Sequence, residues 1–209
     1  MSILLASALV AASFDPNATP AIDRMYPRDA LRDGRSAGAV VTLVVPPDRK
    51  LRSCTVGAVV GDEKLGRSMC SLIEKANPRF RPAAGPDGQP AVGVIETYIS
   101  LALPETKMGR AVKEVTASPD IRLTVNRLPA DAGEALDLPV TALVDESGAV
   151  TLCEHVADAP APFGDIACQQ AGGITFPPVA DSGEAVSHVR EVKVRFEANA
   201  GEPSSQQAG

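Results

Sequence analysis

The stretch Val41-Thr-Leu-Val-Val-Pro-Pro-Asp-Arg-Lys-Leu-Arg-Ser-Cys54 aligns without a gap on Val140-Thr-Ala-Leu-Val-Asp-Glu-Ser-Gly-Ala-Val-Thr-Leu-Cys153. Each reads as a strand, a polar turn, a second strand and a closing cysteine, which is a β-hairpin signature. The correspondence continues with small gaps. Cys70 matches Cys168, Phe80-Arg-Pro-Ala matches Phe176-Pro-Pro-Val, and Asp87-Gly88 matches Ser182-Gly183. An apolar-rich last strand then follows in each copy, from Val92 and from Val186. In the second of these, Val192, Val194 and Phe196 alternate with Glu191, Lys193 and Arg195, as in a strand with one buried and one wet face.

Between the cysteines of each copy the pattern turns helical. Asp62 is a suitable N-cap, and Leu65, Met69, Leu72, Ile73 and Ala76 make one apolar stripe that Asn77-Pro78 ends. The second helix runs around Phe163 to Ala171 and stops at Gly172-Gly173. Strand, strand, helix, strand, written twice, predicts an α+β chain of two tandem modules, each a three-stranded antiparallel sheet with a helix on one face. The boundaries are 18–103 for the first module and 119–197 for the second, with a linker at 104–118 and a tail at 198–209 expected to be disordered. Ahead of the second hairpin, Ile121 to Leu128 alternates like a further strand.

The whole chain has 209 residues, room for one large domain or two small ones. Aromatics are 3% of it and the formal charge is −6. Both argue against a base-stacking surface and against general binding to nucleic acid or anionic membranes. The first copy is net basic and the second strongly acidic, so the two either dock through their charges or face solvent separately. The run Ile3 to Val10 is apolar but too short to span a bilayer, which takes about 20 residues. With small residues after it, it resembles a secretory leader, 1–12, cleaved after Ala12. Retention as a buried N-terminal helix is the alternative.

The four cysteines fall one pair to each copy. A disulfide Cys54–Cys70 and another Cys153–Cys168 would each pin a helix to its sheet, and would place the protein in an oxidising compartment, periplasmic or secreted. Buried free thiols remain open. Zinc ligation would need closer ligand pairs and redox chemistry a Cys-x-x-Cys, and neither occurs. The two histidines, His155 and His188, have no counterparts in the other copy. No nucleophile elbow, phosphate loop or dinucleotide fingerprint is present. The expectation is a non-catalytic protein without cofactor or metal.

Tyr26-Pro27, Ala30, Gly34 to Gly38 leading into Val40-Val41-Thr-Leu-Val, Cys54-Thr-Val56, the helix through Leu65 and Met69, Arg79-Phe80-Arg-Pro82-Ala, and Asp87-Gly88-Gln-Pro-Ala-Val92 together resemble the C-terminal domain of TonB-type energy transducers. The resemblance covers about residues 22–103, and residues 119–197 look like a divergent second example. Asp48-Arg49 departs from the family's Asp-Gly hairpin turn, which Gly148 restores in the second copy. The family also carries a membrane anchor and a long Pro-rich spacer, which this sequence lacks, so force transmission is not expected of it. The resemblance implies binding an extended peptide, such as a segment of an outer-membrane receptor, by strand addition, with an accessory part in TonB-dependent transport. It puts the candidate edges on the last strands, at Val92, Val94, Glu96 and Tyr98 and at Val186, His188, Arg190 and Val192. The alternative is a structural or scaffold protein of the envelope, those edges being covered by the other copy, by a partner copy or by Ile121–Leu128.

Overall fold

The computed structural model describes residues 8–16, 24–115 and 117–199. Along the chain these form β1 (Ser13–Phe14), α1 (Arg28–Arg32), β2 (Ala37–Val45), β3 (Ser53–Gly61), α2 (Glu63–Arg67), α3 (Met69–Ala76), β4 (Phe80–Arg81), β5 (Ala83–Ala84), β6 (Pro90–Ala91), β7 (Gly93–Leu101), α4 (Lys107–Glu114), β8 (Ile121–Val125), β9 (Ala135–Val144), β10 (Val150–His155), α5 (Phe163–Ala171), β11 (Ala180–Asp181), β12 (Glu184–Ala185) and β13 (His188–Ala198). The fold is mixed α+β.

The sequence correspondence is reproduced in the pairing. Leu43 faces Cys54 and Thr42 faces Thr55, as Ala142 faces Cys153 and Thr141 faces Glu154. Val44 faces Val94 as Leu143 faces Val189. The difference from expectation lies in how the strands are assembled. The two three-stranded sets do not stand apart: they join in one seven-stranded sheet of order β10-β9-β13-β7-β2-β3, with β8 beside β13. The join is a parallel pairing of the two last strands, Val189 with Gly93 and Arg190 with Val94.

Alternation along β13 fixes where the helices go. Val189 belongs to the apolar cluster of Leu65, Met69 and Ile73, whereas Val192, Val194 and Phe196 belong to that of Phe163, Ala167 and Ala171. Odd and even residues of a strand point to opposite faces, so the helices of the two copies cover opposite faces of the shared sheet. A rotation about an axis lying in the sheet along the strands relates such halves. Disulfides join Cys54 to Cys70 and Cys153 to Cys168, each tying a strand to the helix over it.

Several local expectations are met by visible contacts. Asp62 accepts the Leu65 amide at 2.7 Å, and Asn77 ends α3 in the left-handed region. The predicted single helix is interrupted at Ser68, whose hydroxyl turns back to the Leu65 carbonyl. The segment 104–118, expected to be a linker, instead contains α4. Thr106 Oγ1 caps it by accepting the Gly109 amide at 2.9 Å, Val112 is fully buried, and the Tyr98 hydroxyl donates to the Val112 carbonyl. Met108, Ala111 and Val112 stand at helical spacing among charged residues, but only Val112 of the three is buried and Met108 is exposed.

Of the leader segment 1–12, residues 1–7 lie outside the described residues. Leu9 and Ala12 are buried in the first core, and Val10 bridges Ala84. Of the tail, residues 200–209 lie outside the described residues, and β13 runs through Ala198.

The two hairpin turns allow a direct comparison. Arg49 sits at φ 64 where the second copy has Gly148 at φ 90. A side chain in the left-handed region costs about 1 kcal/mol, so Arg49→Gly should raise stability by about that amount in chemical denaturation. Gly148→Ala should lower it by more, since a Cβ there would lie 1.9 Å from the Phe176 carbonyl oxygen. Opening the second disulfide with Cys153→Ser and Cys168→Ser should cost about 3 kcal/mol on the chain-entropy estimate, read as a lowered denaturation midpoint.

Candidate functional site

The pairing relocates the expected docking edges. The Val189 amide donates to the Val92 carbonyl at 2.8 Å, and the Val186 amide to the Val179 carbonyl at 2.9 Å. Val94 and Arg190 face one another across the seam, and His188 and Val192 lie between β13 and its neighbour β9. Beyond the seam, Val194 to Ala198 are covered by β8, which runs from Ile121. Val92, Val94, Val186, His188, Arg190 and Val192 are therefore not edge positions. β13 spends its open side on β7 and then on β8, and β7 meets β13 through Gly93 and Val94. Glu96 and Tyr98 are engaged differently. The Glu96 carbonyl accepts from Lys193 Nζ at 3.1 Å, and Tyr98 reaches α4 over Gly38, where a Cβ would overlap its hydroxyl.

The seam carries a buried charge. Arg190 has a side chain 6% exposed, with its guanidinium 3.9 Å from the centre of the Phe176 ring. Its Nη2 lies 3.5 Å from Glu96 and 3.9 Å from Asp120. Asp120 also accepts the Lys193 amide at 2.7 Å. One charge of the second copy is thus compensated by a carboxylate of the first. Arg52 and Asp181 add a second pair between the copies at 2.8 Å. These contacts bring opposite charges of the two copies together.

His188 is fully buried on the same strand, two residues before Arg190, and its Nδ1 lies 3.4 Å from the Val186 carbonyl. Burial pushes its imidazole below the ordinary histidine value, more than the Val186 carbonyl raises it, and the nearby Arg190 lowers it further. His155 is shifted the other way, first by the Val156 carbonyl and then by Asp165 at 3.4 Å. The two histidines occupy separate sites, His188 in the sheet interior and His155 against Gly164 of α5. Among the described residues, no three His, Cys, Asp or Glu side chains converge to hold a metal.

The residues of the family-like motif have structural duties. Tyr26 donates its hydroxyl to the Arg35 carbonyl and Pro27 starts α1. Phe80 is buried, Pro82 separates β4 from β5, and Gly88 takes φ 73 in the following turn.

The strands at the two ends of the main path of the sheet are β3 and β10; β8, off that path, pairs with β13 alone. β3 runs for nine residues, Ser53-Cys-Thr-Val-Gly-Ala-Val-Val-Gly61, without a charge or a proline. β10 is shorter, carries Glu154 and His155, and has an irregular register between Val150 and Leu152. Charge, shortness and irregularity are the usual protections of a sheet edge; β10 has all three. β3 has only the register shift opposite Ala39 and Val41. The uncharged run from Ser53 was readable in the sequence. Its edge position was not, because that depends on which strands pair at the seam.

No helix among the described residues is long and apolar enough to cross a membrane, and the two disulfides suit an oxidising, extracytoplasmic compartment. Comparisons with protein-family models, with curated proteins and with solved structures return no match for this chain.

His188 gives a pH test with a definite sign. Its folded value is depressed, so the unfolded chain takes up the proton first. Its contribution to stability is complete above the ordinary value of 6.5 and is lost as pH falls toward the folded value. His155, shifted up, works in the opposite sense, so comparison with a variant isolates His188. Between pH 7 and pH 5 the melting temperature of the wild type should fall more than that of His188→Phe. An equal fall in both would refute the assignment.

Proposed function

We propose that the protein is a non-catalytic binding protein of the periplasm or of a secreted compartment, built from two tandem TonB-C-like modules, that takes an extended polypeptide partner by strand addition. The observation that carries this is β3: nine residues at the end of the sheet, free of charge and proline, with Ser53, Thr55, Gly57 and Ala58 exposed. Such an edge presents unpaired N–H and C=O groups in regular order, a template on which another strand forms main-chain hydrogen bonds. The chain itself carries out a small version of this step. Ser13 and Phe14 add to Arg81 and Phe80 as an antiparallel pair. The family resemblance makes an N-terminal segment of an outer-membrane receptor the first partner to try, and TonB-dependent transport the process served.

A second reading, a structural or scaffold protein of the envelope, is favoured by the mutual pairing of β7 and β13. That pairing covers Val94 and Arg190 of the edges the resemblance would use and joins the copies through a buried arginine.

Residue-resolved amide exchange separates the two readings. With an extended receptor peptide added, the amides of Ser53–Gly61 should become protected. Ala58→Lys, which puts a charge on the edge, should weaken binding, since a charged edge deters pairing, while leaving protection of β2 and β7 intact. If pull-down from the native envelope recovers a partner that protects β3 but is no receptor segment, the transport role falls and strand addition stands. If no extended partner protects β3, the scaffold reading replaces it.

A further inference from the structure

We infer that the groove between Pro177–Ala180 and the open face of β2, β3 and β7 is a seat for an extended, uncharged segment of a partner polypeptide, the vacant counterpart of a seat that residues 9–14 already fill. This rests on the reading of the protein as a binder of extended chain, and places a contact away from the β3 edge.

The internal duplication carries the argument. Because the helices lie on opposite faces, each copy leaves one sheet face open, and the Phe-x-Pro segment of the other copy stands beside it. Over the second copy, the neighbouring segment is Phe80–Ala84, and the chain fills the space between. Leu9 and Ala12 are buried, and the Leu9 amide donates to Glu154 at 2.7 Å. Val10 and Ala84 exchange two main-chain hydrogen bonds of 3.1 and 2.9 Å. Leu143 and Val189 pack in the same cluster as Leu9.

Over the first copy, the residues in the corresponding places are Thr55 for Glu154, Val44 for Leu143 and Val94 for Val189, by identical strand register. Here the neighbouring segment is Pro177–Ala180, and between it and those residues lies a groove of about 310 Å³.

The main chain beside the groove is oriented for pairing. The Val186 amide donates to the Val179 carbonyl, and Ala180 faces Ala185. Bonded and non-bonded pairs alternate in an antiparallel hairpin, so the N–H and C=O of Ala180 point outward. The N–H and C=O of Ala84 do the same and meet Val10. Ala180 is exposed. The Arg52–Asp181 ion pair holds this hairpin against the first copy.

Arg190, nine-tenths buried, also lines the groove, beside Val94 and Glu96.

The lining states the chemistry of the occupant. Thr42, Thr55, Val44 and Val94 are hydroxyl-bearing or aliphatic, and the charges present, Arg190 and Glu96, already face each other at 3.5 Å. An uncharged segment with small or aliphatic side chains fits.

The test uses the full chain with residues 9–14 retained, so that its own seat is filled, and two capped peptides: acetyl-Leu-Val-Ala-Ala-Ser-amide, copied from residues 9–13, and acetyl-Leu-Asp-Ala-Asp-Ser-amide, its charged counterpart. At saturating peptide the uncharged form should slow exchange of the Ala180 amide about tenfold, the net worth of one main-chain hydrogen bond, and the charged form should do much less. Thr55→Trp, which fills the groove from an exposed position, should abolish the effect while the β2 and β7 amides stay protected as in the wild type. Protection confined to Ser53–Gly61 would overturn this seat and leave strand addition at β3 standing. No protection at either place overturns the seat, and if receptor peptides also fail at β3 the binding reading falls with it. Protection of Ala180 that grows with protein concentration and needs no peptide would show a second copy as the occupant, contrary to the proposal.

Discussion

The parallel pairing of β7 with β13 is short, two residue pairs and a hydrogen bond from Val189 to the Val92 carbonyl, yet most of the architecture depends on it. It turns two three-stranded sheets into one. Because the paired strands run parallel and each retains its own helix-facing side, the helices are forced onto opposite faces. That in turn leaves each copy with one bare face, directed toward the other copy's Phe-x-Pro segment. Arg190 is buried at this junction because the face of β13 that carries it lies over Phe176 and beside Glu96 and Asp120. A buried guanidinium with two carboxylates nearby adds little net stability, since desolvation offsets most of the attraction. Its effect is on specificity: a slipped register at the seam would strand the charge.

What could be read in the sequence was local and repeated. The gap-free match of the two hairpins gave the strand registers, because pairing within a hairpin is set by its turn and its alternation. The cysteine pairs followed from the same match, and Asp62 and Asn77-Pro78 bounded their helix by chemistry that acts within a few residues. Arg49 shows a limit of such reading. Its position in the turn was evident, but the turn keeps the left-handed conformation without the glycine that usually supplies it.

What could not be read was long-range. Nothing in Val92 to Leu101 or in Val186 to Phe196 tells an edge strand from an interior one, since both alternate suitably and the neighbour is chosen by the rest of the molecule. Ala8 to Ala12 illustrates the same ambiguity. Small and aliphatic residues suit a cleavable leader, and equally suit a strand that must lie over Gly93, where only small side chains fit. α4 escaped notice for another reason: its apolar positions, Met108, Ala111 and Val112, stand at helical spacing but span little more than one turn.

The two ends of the sheet are unequal. A duplicated sheet with equivalent outer strands would be bivalent, able to link one partner to another and to grow into chains of molecules joined edge to edge. Here β3 is long and uncharged, while β10 is short, irregular and carries Glu154 and His155. The divergence of the second copy therefore bears on stoichiometry: of these two outer strands only β3 lacks charge and length limits that deter pairing, so a molecule that bound through its edges would end an assembly where a symmetric one would extend it.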